Sequence, residues 1–140
     1  MTTVELVEYE DADIEVRQVY DDIISTRKSY GQTIGTDQIN NFWKALAVHP
    51  KLMQKTWESV KSVMTSPTID MLTKELIYIA VSVTNGSEYG TVTNIAAARD
   101  LGMTDEMFAE LMALIGIANQ TNVLANGYQL PKTWEDDSQH

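Results

Sequence analysis

A chain of 140 residues is long enough for one domain that buries roughly 70% of its unfolded surface around a single core, and the lack of any cysteine excludes disulfides, thiolate nucleophiles, cysteine-zinc sites and iron–sulfur clusters. The formal charge of -10, with ten Lys and Arg that are scattered rather than clustered, argues against nucleic acid and anionic membrane surfaces as partners. No apolar run reaches the ~18 residues of a membrane span and MTTVELVEYEDAD lacks the apolar core of a secretory signal, so a soluble, cytoplasmic protein is expected.

Apolar spacing is helical almost throughout, and no alternating segment predicts a sheet. Residues 1–12 read as an acidic, solvated tail, 13–131 as the helical domain, and 132–140 as a second acidic tail. Val16, Val19, Tyr20, Ile23 and Ile24 form the stripe of a first helix, with Asp13 as its N-cap. The polar loop SYGQTIGTDQ leads to a short second helix carrying Ile39, Phe42, Trp43 and Leu46. Pro50 ends that helix and opens a third, since proline suits a first helical turn; Met53, Trp57, Val60 and Met64 are its inward stripe. His49, just before Pro50, reads as a surface or capping residue, and the terminal His140 as bland.

Asp70 is placed to cap a fourth helix that runs to about Thr84. A fifth is expected from about Ser87 to Leu101, ended by Gly102 in the left-handed conformation. Thr104 caps the sixth, whose first turn holds Asp105 and Glu106, and which is expected to stop near Asn126 and Gly127. The expected architecture is an all-α bundle of about six helices.

Two of these helices carry the chemistry. On the fourth, Leu72, Leu76, Ile79, Ala80 and Val83 share one side while Ile77 and Val81 lie nearly opposite, which predicts a central helix. Glu75, Tyr78, Ser82 and Asn85 then form a narrow polar strip, and buried polar groups need partners because an orphan costs ~1–3 kcal/mol. The start of the fifth helix offers a matching strip of small residues: Ser87, Gly90, Thr91, Asn94 and Ala98. Gly90, Thr91, Val92 and Thr93 are weak helix formers, so either close helix packing or a cavity selected them. Glu75 has two readings: a carboxylate near a helix N-terminus, or paired to an arginine such as Arg99; or a buried general acid or base with raised proton affinity.

Across FWKALAVHP, LTKELIYIAVSVTNG, AAARDLGMTDEMFAEL and TNVLANGYQLP the sequence resembles the AhpD-like, or carboxymuconolactone decarboxylase, superfamily. The resemblance implies a small all-helical fold, assembly as trimers or hexamers of trimers, and in its hydroperoxidase branch a Cys-x-x-Cys-x-x-x-His motif with a glutamate twelve residues upstream. The glutamate position holds Glu75; the two cysteine positions hold Ser87 and Gly90, and the histidine position holds Asn94. A serine passes through no sulfenic acid and a glycine resolves none, so the dithiol chemistry is not expected.

Two functions of different class remain. One is a cofactor-free acid–base enzyme on a small organic acid, lactone or carbonyl compound, with Glu75 moving the proton and Tyr78, Ser82, Ser87, Tyr89, Thr91 or Asn94 contacting substrate at a helix N-terminus. The other is a catalytically silent ligand-binding or oligomeric scaffold. A packed space around Glu75, Ser87 and Gly90 favours the scaffold, and a hydrated pocket with convergent polar groups favours the enzyme. No metal or other cofactor is expected, Asp21 and Asp22 being the one adjacent carboxylate pair considered.

Overall fold

The computed structural model describes residues 1–132. Within them are six α-helices and no strand: α1 Ile14–Ser29, α2 Asn41–Leu46, α3 Pro50–Met64, α4 Met71–Asn85, α5 Glu88–Asp100 and α6 Asp105–Tyr128. The expected second acidic tail beyond residue 132, with His140, lies outside the described residues.

Each start obeys local chemistry. The side chains of Asp13, Ser87 and Thr104 accept the N–H three residues on, from Val16, Gly90 and Met107, and Asp70 Oδ1 accepts that of Thr73 at 2.9 Å. These bonds satisfy donors that have no partner within the helix. His49 does the same through Nδ1, which accepts the Leu52 N–H at 3.2 Å with Pro50 in the first turn. Gly102 ends α5 at φ 105°. The end of α6 falls within a residue of expectation. It passes through Asn126 and Gly127 to Tyr128, and Gln129 takes the left-handed position at φ 51°; a non-glycine residue tolerates this conformation at modest strain.

Contacts divide the chain into two compact units, residues 1–74 and residues 75 onward. In the first, Val16, Val19, Tyr20 and Ile23 of α1 meet Ile39, Trp43, Ala47, Met53 and Trp57 in one buried cluster. Trp43 and Trp57 pack edge to face, centroids 5.5 Å apart, a geometry that the aromatic quadrupole favours. The indole of Trp57 donates to Asp22 at 2.7 Å, and Lys61 reaches the same carboxylate at 2.9 Å. Burial pushes Asp22 up, but the bonds from Trp57 and Lys61 and the lysine's charge outweigh it and hold the carboxyl below its ordinary range.

The acidic N-terminal segment, expected to be solvated, is strapped down from Val7 onward. Val7 N–H donates to the Lys44 carbonyl at 3.1 Å, the Tyr20 hydroxyl donates to the Val7 carbonyl at 2.6 Å, and buried Lys44 pairs with Glu8 at 2.7 Å. Pattern alone missed this because the segment's two core-facing side chains, Val7 and Tyr9, sit among acids that stay outside. At the other end of the unit, buried Lys74 donates to the carbonyls of Val63, Met64 and Ser66. Its charge thus closes the carbonyl end of α3, where a cation is favoured.

The second unit is built differently. Among its described residues the buried apolar ones are Ile79 of α4, Ala98 of α5, Met103 between α5 and α6, and Ile115 of α6. The face of α4 that carries Ile77 and Val81 stands about half exposed, so the helix expected to be central on two sides is covered on one. No helix among the described residues is long and apolar enough to cross a membrane.

Candidate functional site

The site begins at the turn between α4 and α5. Gly86 supplies φ 72°, a conformation that L residues rarely adopt, and this brings the Ser87 N–H onto the Ser82 carbonyl at 2.9 Å. The chain then re-enters a helix with Ser87 as N-cap. Its hydroxyl accepts the Gly90 N–H at 3.1 Å, and its carbonyl accepts the Thr91 N–H at 3.0 Å. The N–H of Gly90, expected to be available to an anion, is therefore spent on the cap.

Gly90 itself faces α4. A Cβ added there would stand 2.7 Å from Ser82 Oγ, 2.9 Å from Ser87 Oγ and 3.3 Å from Ser82 Cβ, separations below ordinary van der Waals contact. Of the two explanations for a glycine in this turn, close packing is the one the geometry carries. Ser82, a substrate-contact candidate by sequence, is buried and fills the space beside Gly90.

Asn94 turns back on its own helix, its Nδ2 donating to the Gly90 carbonyl at 2.7 Å. Thr93 Oγ1 donates to the Tyr89 carbonyl at 2.9 Å and to that of Gly90 at 3.3 Å. Serine, glycine and asparagine at the motif positions are thus joined to each other and to Ser82 by local bonds and close contact. The remaining candidates are distributed otherwise. Glu75 is buried on α4, Thr91 is half-buried, and Tyr78 and Tyr89 each show nearly half their surface to solvent. Arg99, considered as a partner for Glu75, is held by Asp105 at 2.7 Å and lies over the Phe108 ring at 5.6 Å.

Asp21 and Asp22 do not form a pair. Asp21 accepts from the Tyr9 hydroxyl at 2.8 Å, while Asp22 serves Trp57 and Lys61. Among the described residues no group of three or more His, Asp or Glu is placed to hold a metal ion.

Sequence reasoning did not foresee an open groove of about 410 Å³ between α4 and α6. Val81, Leu114 and Ile115 supply its apolar wall, and Thr84, Asn85 and Asn122 its polar end, where Asn119 Nδ2 donates to Thr84 Oγ1 at 3.1 Å. The signal for it was present in Val81, on the second apolar face of α4.

Comparison with known proteins agrees with the helical order. The profile of the Carboxymuconolactone decarboxylase family matches residues 50–132, which takes in α3 to α6 and every motif position. The crystal structure of the alkylhydroperoxidase AhpD core from Rhodospirillum rubrum superposes with a TM-score of 0.82 at 40% identity, covering 96% of each chain. A comparison with curated proteins finds no match.

Proposed function

The chain belongs to the carboxymuconolactone decarboxylase family, and from that premise we propose that it is a redox-silent, AhpD-like member that works in the cytoplasm as a ligand-binding or oligomeric scaffold. The observation that carries this reading is the contact at Gly90. The position that holds the resolving thiol in the hydroperoxidase branch is filled against α4 by Ser82 and Ser87, and the Ser87 hydroxyl is engaged as a helix cap. With no sulfhydryl anywhere in the sequence, no sulfenic acid forms and no disulfide closes, so the two-electron reduction of a hydroperoxide has no dithiol electron donor on this protein. The test is hydroperoxide consumption by metal-free protein with a dithiol or lipoyl reductant. No turnover above background is expected; catalytic reduction would refute the reading.

The buried Glu75 carboxyl favours a second reading, a cofactor-free acid–base enzyme on a small organic acid, lactone or carbonyl compound. Titration with small carboxylates and lactones separates the two. Turnover that Glu75→Gln abolishes supports the enzyme, and its absence in the wild-type protein, with or without binding, supports the scaffold. The family resemblance further supports assembly of several copies as a trimer or hexamer.

A further inference from the structure

An ordinary surface helix is apolar along one stripe and charged on the other, and a helix that is apolar all round is buried. α6 obeys neither pattern. It is 24 residues long, about 36 Å, and Ile115 is its one buried residue. From Leu111 to Tyr128 it has no charged side chain, in a chain whose formal charge is -10. Leu114, Ile117, Val123, Leu124 and Tyr128 are exposed, Val123 at 68% and Tyr128 at 75%, and Val81 joins them across the groove at 52%.

At about 100° per residue, Ala113, Gly116, Gln120 and Gly127 form a strip that begins a little over a quarter-turn round from Ile115 and stops short of the point opposite it. Ile117, Leu124 and Tyr128 flank them on one side and Val123 on the other. Gly116 has nothing within 4 Å of where a Cβ would stand, so no packing inside the chain accounts for a residue that weakens a helix. Small residues between larger apolar ones let another backbone come near.

We infer that this uncharged face of α6, with Val81 of α4 at its edge, is where a second copy of this chain packs. Charge selects the occupant. Two chains of this net charge repel wherever their acids meet, and Leu111–Tyr128 is a face on which a copy meets none. A basic partner finds no carboxylate to pair with there, and an anionic lipid surface finds no Lys or Arg. The polar groups that remain, Asn119, Gln120, Asn122 and Asn126, are amides that both donate and accept, so the face is complementary to itself. The inference rests on the oligomeric part of the proposed function and adds the face that forms the contact.

Sedimentation equilibrium over a wide dilution series tests it, with helix content followed by circular dichroism. The wild-type protein is expected to be an oligomer. Ile117→Lys and Gly116→Leu, both at positions exposed in the single chain, should each weaken assembly at least about tenfold with helix content unchanged, as for a residue at the centre of an interface. Ile117→Leu should assemble like wild type and serves as the folding control. A wild-type monomer at every concentration overturns both the oligomer and the face. An oligomer that Ile117→Lys and Gly116→Leu leave intact overturns the face alone.

Discussion

The two units bury their apolar residues to very different extents. In residues 1–74 a ten-member cluster closes around Tyr20, Ile23 and Met53, with the N-terminal segment strapped across by Tyr20, Lys44 and Glu8. Among the described residues from 75 onward four apolar side chains are buried, and the longest helix offers most of its circumference to solvent. The first unit buries more of its apolar side chains within the chain, and the second leaves more of them exposed. An exposed apolar face of this kind is what the proposed packing of a second copy would cover.

The largest effect that separates the units is expected in the first. Met53→Ala, at a side chain with no exposed surface, should cost about 2–5 kcal/mol in urea unfolding, whereas Val123→Ala on α6 should leave the isolated chain within about 0.5 kcal/mol of wild type. Equal losses would break the contrast. Next is Tyr20→Phe, which leaves the Val7 carbonyl without its hydroxyl donor and should cost about 1–2 kcal/mol. Burial first, and the charge of Glu8 second, push the Tyr20 phenol from 10.0 up to about 12. A raised folded pKa means that the contribution is whole below pH 10 and is lost as pH rises toward 12. Wild-type stability should therefore fall along an alkaline limb that Tyr20→Phe flattens.

Gly90→Ala is expected to be smaller. Alanine gains roughly 1 kcal/mol of helix propensity, but its Cβ forces Ser82 to rotate and Ser87 to leave the cap, the cap alone being worth about 1 kcal/mol. Displacing Ser82 adds an overpacking cost of about 1 kcal/mol, so a net loss of about 1 kcal/mol is expected, partly recovered in Ser82→Ala/Gly90→Ala; a single variant as stable as wild type would show the space beside Gly90 to be open. The smallest effect is expected at Gly116→Ala, and its sign carries the information. In a monomeric Ile117→Lys background it should stabilise by about 0.5–1 kcal/mol, while in the assembled protein the added methyl should weaken association. Melting temperatures at low and high concentration compare the two.

Much of the fold was legible in the sequence because it is written in short-range chemistry. Asp13, Asp70, Ser87 and Thr104 act as caps, and Gly102 ends α5, since such signals need only three or four neighbouring residues. The strap at Val7 was not legible, because two apolar residues among acids give no period to detect. The end of α6 was legible to within a residue: Asn126 and Gly127 suit a helix end, and the helix stops at Tyr128.

At the candidate site the sequence identified the positions and left their use open. It placed Glu75, Ser82, Ser87, Gly90 and Asn94 on two facing strips and required of them either packing or a cavity, since periodicity gives direction around a helix and not distance between helices. The separation at Gly90 and the return of Asn94 to its own backbone were decided by tertiary structure. What the sequence determined by itself is the chemistry that the chain lacks, because a missing sulfhydryl needs no coordinates to be missing. What only the tertiary structure decided is which of two apolar faces on α4 is covered and how much of α6 is not, since burial belongs to the packing of helices and not to the pattern on any one of them.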